Sequence, residues 1–163
     1  MMRERFLPSS AGGFMSLYFP IFVDLSSKNV LFIGGGRITV RRIISIYEFA
    51  GSVTVVSPEA EPEIIKLADA GYIRYIRKRF DETDLDDADI VLVNTGHQGT
   101  DIRIAGMCRR RHLPVNVASD QTLCDFYFPG IIKKDSVVVG VTASGEDHHK
   151  AADVTARIRE LLK

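Results

Sequence analysis

A continuous apolar run, Val30-Leu31-Phe32-Ile33, opens the patterned part of the chain and is followed at once by Gly34-Gly35-Gly36. A short apolar run without alternation reads as a strand covered on both faces, so residues 28–33 are predicted to be a strand. Residues 37–50 take up a helical period. It places Ile38, Ile43, Ile44, Ile46 and Tyr47 near one face and Arg37, Arg41, Arg42 and Glu48 mostly elsewhere, with Gly51 as the stop. The alternation then repeats. Strands are predicted at 53–56, 72–76, 89–93 and 115–117, and helices at 62–70, ended by Gly71, and at 100–111. An acidic connection at 81–87 has room for one helical turn. Strands alternating with helices imply crossover connections and an open parallel sheet.

After residue 118 the pattern changes. Residues 126–133 and 136–142 read as two strands joined at Lys134-Asp135, and 147–163 as a closing helix with Val154, Ile158, Leu161 and Leu162 on one face. The second of these strands, Val137-Val138-Val139-Gly140-Val141, is apolar on both faces. Antiparallel pairs usually leave one face wet, so a second copy of the chain is expected to cover it. Residues 1–14 contain the turn-prone run Pro8-Ser9-Ser10-Ala11-Gly12-Gly13 and read as a flexible tail. The predicted architecture is therefore α/β. A Rossmann-like doubly wound parallel sheet is expected over 15–117, followed by a small α+β dimerisation segment over 118–163.

Composition narrows the class of protein. Of 163 residues, 45% are apolar, enough to fill a core, and 21 basic residues balance 21 acidic ones. A balanced chain carries no electrostatic footprint for nonspecific nucleic-acid binding. Cys108 and Cys124 match no metal or redox spacing, which fits a reducing compartment. No apolar run approaches the roughly 18–20 residues of a membrane span, and the N-terminus lacks the apolar core of a secretory signal. A cytoplasmic protein is expected.

The glycine run is the most informative chemistry. Glycine between strand and helix lets the backbone turn tightly and lets phosphate oxygens approach its N–H groups. Gly34 and Gly36 fill the first two places of the G-x-G-x-x-G/A turn, and Thr39 stands in the third, where its bulk predicts looser packing of helix on strand. The second strand leads into Val56-Ser57-Pro58-Glu59. Ser57 and Glu59 suit a ribose, and no arginine stands in that stretch, so NAD is favoured over NADP. Ligands in open α/β sheets lie beyond the carboxyl ends of the strands, which brings Thr95 and Gly96 to the same cleft. His97 beside them is either a proton carrier or a solvated loop residue. The segment Asn116-Val117-Ala118-Ser119-Asp120 leaves the fifth strand at this edge.

From Tyr18 to about Leu162 the sequence resembles precorrin-2 dehydrogenase, the amino-terminal module of siroheme synthases. The matching pieces are Phe19-Pro20-Ile21-Phe22-Val23-Asp24-Leu25, the strand and glycine turn, Thr39-Val40-Arg41-Arg42, Val53-Thr54-Val55-Val56-Ser57-Pro58-Glu59, and Phe80-Asp81-Glu82-Thr83-Asp84-Leu85. Asn116-Val117 and Leu123-Cys124-Asp125-Phe126-Tyr127-Phe128-Pro129 complete the set, the last being the most specific.

The resemblance implies NAD-dependent oxidation of precorrin-2, a polycarboxylate tetrapyrrole, to sirohydrochlorin by an intertwined homodimer. Gly34, Gly35, Gly36, Arg37 and Ile38 would hold the pyrophosphate, and Ser57, Pro58 and Glu59 the adenosine ribose. Thr95 and Gly96 would flank the nicotinamide. The family commonly has an aspartate at the place of Ser119, the position given the proton-handling role; here Asp120 follows one residue later, and Asp120 with Ser119 is assigned that role. The family's carboxy-terminal helical domain is largely missing, which predicts weak chelatase activity or a separate chelatase subunit. A non-catalytic NAD- or tetrapyrrole-binding module, or a dehydrogenase needing a partner, stays open. Arg37, Arg41, Arg42, Lys133 and Lys134 are candidate cations for an anionic substrate, with Arg109-Arg110-Arg111 suiting the end of a helix. Glu146-Asp147-His148-His149 reads either as a metal cluster or as a helix start, and no metal ligand is assigned.

Overall fold

The computed structural model describes residues 18–143 and 147–162. The tail expected over 1–14 lies outside them. Strand β1 (Asn29–Gly35) leads through Gly36 into helix α1 (Arg37–Ile46). Strand β2 (Ser52–Ala60), helix α2 (Pro62–Asp69) and strand β3 (Arg74–Ile76) follow. A 3-10 turn at Glu82–Leu85 leads to β4 (Ile90–Val93), α3 (Gln98–Arg110) and β5 (Val115–Val117). The five strands form one parallel sheet in the order β3-β2-β1-β4-β5. This is the predicted doubly wound sheet, and its order reverses between β1 and β4.

Alternation along β1 explains the two cores. Val30 and Phe32 point to one face, where Ile43 and Ile46 of α1 and Ile64 of α2 cover them. Leu31 and Ile33 point to the other, against Ile104, Ala105 and Cys108 of α3 and Leu85 of the 3-10 turn. Both faces are dry, which is why β1 lacks polar alternation.

Cys108 lies fully inside, and burial pushes its thiol up to about 11. The thiolate is the reactive form, so little of it exists below that value. Native protein at about pH 8 is therefore expected to resist iodoacetamide at Cys108 and to become labelled when unfolded in urea. Rapid labelling of the native thiol, read by mass spectrometry, would contradict this burial.

Several boundaries differ from the pattern. Helix α1 ends at Ile46, and its sheet-facing residues are Thr39, Ile43 and Ile46, while Ile38 and Ile44 are 43% and 59% exposed. A step of about 100° per residue puts 39, 43 and 46 on one stripe and turns 38 and 44 off it. Strand β2 runs on to Ala60, so Ser57, Pro58 and Glu59 lie inside it. A register shift between Ile33 and Gly35 lets Gly35 pair with Ala60 beyond the proline. Strand β3 starts at Arg74, leaving Tyr72 exposed, and α3 starts two residues early at Gln98.

Strand β5 is a sheet edge, and the run that follows it closes that edge. The Asp125 carboxylate accepts from the Val115 N–H at 2.9 Å, and the Asp125 N–H donates to the Val115 carbonyl at 2.8 Å. The Val117 N–H donates to Cys124 Sγ at 3.2 Å, and the Asn116 amide donates to the Phe126 carbonyl at 2.7 Å. Cys124-Asp125-Phe126 thus occupies the ladder that another strand would otherwise take. Beyond it, β6 (Gly130–Lys134) and β7 (Val137–Val141) form an antiparallel pair, and α4 (His148–Leu161) packs on β6 and β7. Asp147 caps α4 by accepting from the Lys150 N–H at 2.8 Å. Part of the Glu146-Asp147-His148-His149 run lies outside the described residues.

Candidate functional site

The reversal of strand order leaves a cleft beyond the carboxyl ends of β1, β2 and β4, of about 840 Å³. Gly34, Gly35, Gly36, Ser57, Pro58, Glu59, Thr95, Gly96 and His97 line it. Residues far apart in sequence thereby meet at one edge. Arg37 and Ile38 stand just above the glycines, in the first turn of α1.

Each glycine in the turn meets a different constraint. Gly34 has φ of +109°, and a Cβ there would lie 1.9 Å from the Asn94 carbonyl oxygen. It is glycine because β4 passes against it. At Gly35 a Cβ would lie 2.5 Å from the Glu59 carbonyl oxygen, so β2 packs against it too. Gly36 is different: its nearest neighbour would be Asn94 Nδ2 at 3.8 Å. The open space lies at the start of α1, whose first N–H groups have no side-chain cap and no acidic residue in the first turn. Uncapped N–H groups and the positive end of the helix dipole fit a phosphate.

Thr39 packs without loosening the turn. It is buried, and its hydroxyl donates to the Gly34 carbonyl at 2.9 Å, tying the helix back to the glycine that starts the turn. Thr39→Val keeps the shape and removes this bond. A loss of about 1–2 kcal/mol is expected, read as a lower urea midpoint with unchanged slope.

At the β2 end, Ser57 is buried and its hydroxyl donates to the Glu59 carbonyl at 2.6 Å, leaving its lone pairs as acceptors. Tyr75 donates to the Ser57 carbonyl at 3.1 Å and Arg77 Nε to that of Pro58 at 3.3 Å, so β3 and its extension fix this end. Arg79, Phe80 and Arg103 also line the cleft. The β2 stretch carries no sign of these arginines, because they come from the β3 extension and from α3.

At the β4 end, Asp101 was also missed. It lies in the first turn of α3 and is fully buried. Its carboxylate accepts from the Thr95 N–H at 3.2 Å, from Thr95 Oγ1 at 2.5 Å and from Ser119 Oγ at 2.8 Å. It joins the loops that follow β4 and β5. Asp120 accepts from the Thr122 N–H at 2.9 Å and from Thr122 Oγ1 at 2.7 Å. These bonds hold its carboxyl below the usual range and make it the cap of the short 3-10 turn Gln121–Leu123.

The candidate cations separate as well. Lys133 pairs with Glu48 at 2.7 Å, and Arg37 approaches Glu61 at 3.8 Å while remaining largely exposed. Arg42 lies half-buried over the Phe128 ring, 5.4 Å from its centre, and its Nη1 has no partner among the described residues. Burial lowers its affinity for its proton somewhat.

A doubly wound sheet with an uncapped glycine turn at its switch point defines a nucleotide-binding protein that takes a diphosphate ligand in an extended cleft. The chain belongs to the family described as "Putative NAD(P)-binding", whose family model it matches over residues 21–130. The family description names NAD(P), and the turn fits the pyrophosphate of such a dinucleotide. The siroheme synthase of Methylococcus capsulatus is 36% identical over 145 residues, covering 89% of this chain and 31% of that protein. That of Saccharophagus degradans is 32% identical over 146 residues, covering 90% and 31%. The chain therefore spans about a third of the length of these relatives. Among solved structures, SirC, a precorrin-2 dehydrogenase, superposes with a TM-score of 0.70 at 26% identity, covering 89% of this chain and 69% of that one.

Proposed function

We propose that the chain catalyses NAD-dependent oxidation of precorrin-2 to sirohydrochlorin. The observation that carries this is the meeting, at one sheet edge, of the uncapped glycine turn and the Asp101-joined loops bearing Thr95 and Ser119. The likeness to SirC over nearly the whole chain supports the choice of substrate.

Bound NAD supplies the hydride acceptor. The rest falls to the protein, which must hold a ring edge against the cofactor and take one proton. Gly34, Gly35, Gly36, Arg37 and Ile38 hold the pyrophosphate; Ser57, Pro58 and Glu59 receive the adenosine ribose; Thr95 and Gly96 flank the nicotinamide. Ser119 faces the substrate as the proton-handling hydroxyl, and Asp120 fixes the loop that carries it. The half-buried Arg42, whose Nη1 has no partner among the described residues, suits a carboxylate of a tetrapyrrole.

Residues 15–117 form the cofactor unit and 118–163 the pairing segment of a cytoplasmic homodimer. Exposed Val137 on β7 and exposed Phe19, Ile21 and Phe22 before β1 favour pairing. Among the described residues no helix is long and apolar enough to cross a membrane. Sedimentation at twice the chain mass is the expected result, and a monomer at micromolar concentration would end the pairing proposal.

The test is an anaerobic assay with enzymatically generated precorrin-2 and NAD, following NADH and sirohydrochlorin together. Equal, protein-dependent formation of both supports the reading. NAD binding without turnover would favour the binding-module alternative, motivated by Ser119 in the aspartate position. Turnover only after a second polypeptide is added would favour a partner-dependent enzyme.

A further inference from the structure

We infer that Asp101 supplies the carboxylate of the oxidation site through Ser119, as the positioning residue of a two-member proton relay; this rests on the dehydrogenase reading above. The residue is fully buried, and no cation pairs with it among the described residues. A buried carboxylate without a counter-ion is costly to keep. Three donated hydrogen bonds from Thr95 and Ser119 and its place at the start of α3 offset that cost. Joining the two loops does not by itself require a charge. An asparagine in the same place could accept from Thr95 and donate to Ser119 at the same spacing. A dry carboxylate held by two hydroxyls, Thr95 Oγ1 at the cleft and the exposed Ser119 Oγ, points to chemistry at a hydroxyl, and Ser119 is the one free to meet solvent and substrate.

The arrangement also accounts for Ser119. A serine alone is a weak base and has nowhere to send its proton. Here its hydroxyl already donates to Asp101 Oδ2 at 2.8 Å. Oxidation removes one hydride and one proton from the substrate. As the proton leaves a substrate C–H or N–H bond, the Ser119 oxygen takes it and the Ser119 proton passes to Oδ2. The electron pair of the broken bond stays in the macrocycle as extended conjugation. The Asp101 carboxylic acid then returns the proton to water by the reverse path, and atoms and charge balance. The carboxylate expected at position 119 has in effect moved one hydrogen bond back, to position 101.

The test uses the full-length protein and four variants: Asp101→Asn, Asp101→Ala, Ser119→Ala and the double Asp101→Asn/Ser119→Asp. Calorimetry of NAD binding is run beside anaerobic turnover. Asp101→Asn is expected to bind NAD within about threefold of the parent and to keep KM, while kcat falls about 100-fold. Ser119→Ala should lose a similar amount, which guards against a folding defect peculiar to position 101. Asp101→Ala frees Thr95 as well, so NAD binding should weaken about 10-fold without any substrate present. The double variant puts a carboxylate at 119, and kcat should return to within about fivefold of the parent. A merely structural Asp101 would give no such rescue. Unchanged kcat in Asp101→Asn, or a double variant no faster than it, overturns the relay alone. A parent protein that binds NAD and never oxidises precorrin-2 overturns the dehydrogenase reading and the relay with it.

Discussion

Gly34→Ala is expected to destabilise the protein by about 4 kcal/mol, lowering Tm by roughly 10 °C. Two independent causes add. At φ of +109° an L-side chain is strained before any neighbour is considered. The new Cβ would then sit 1.9 Å from the backbone carbonyl oxygen of Asn94, a residue whose N–H donates to the Ile33 carbonyl at 2.8 Å. Neither wall can yield without opening the β1–β4 ladder. The Thr39 bond to the Gly34 carbonyl would shift as well. Thermal unfolding without ligand measures the effect. A variant as stable as the parent would mean that β1 and β4 do not approach as closely as described.

Two residues along, the expected result inverts. Gly36→Asp should leave unliganded stability unchanged or raised by a few tenths of a kcal/mol, because aspartate is a favourable N-cap and Gly36 already has extended backbone angles. NAD binding should fall at least about 100-fold. The new carboxylate would take the uncapped N–H groups of α1 and place a negative charge where the pyrophosphate belongs. Two glycines of the same turn thus separate folding from binding: substitution at one breaks the turn, at the other it fills the site. Calorimetric titration with NAD and a melting curve on the same sample read both. Loss of stability with binding intact would remove the phosphate from the start of α1.

The β1–turn–α1 unit was legible because an apolar run, three glycines and a helical period agree over residues 28–46. The five parallel strands were legible for the same reason. The reach of β2 was not, since Pro58 lacks an N–H and reads as an end. The strand continues because Gly35 pairs beyond the proline at Ala60. Ile38 and Ile44 were misread because an apolar residue beside a buried stripe looks the same in sequence as one within it. Cys124-Asp125-Phe126 was conspicuous, but its job, closing the β5 edge, needed the chain to double back. Asp101 gave no signal at all. It is one acid at the start of a polar helix, and only the docking of α3 brings it to Thr95 and Ser119. Arg79 and Arg103 were hidden in the same way, coming to the cleft from the β3 extension and from α3.

NAD is expected to lie across the switch point between β1 and β4, with its nicotinamide toward the loops joined by Asp101. A crystal structure of the protein grown with NAD tests it most directly. Pyrophosphate density is expected on the N–H groups at the start of α1 beside Gly36, ribose density against Ser57 and Glu59, and the nicotinamide between Thr95 and Ser119. A dinucleotide bound elsewhere, for example in the groove lined by Asn29, Ser52 and Arg74, the first residues of β1, β2 and β3, would contradict it.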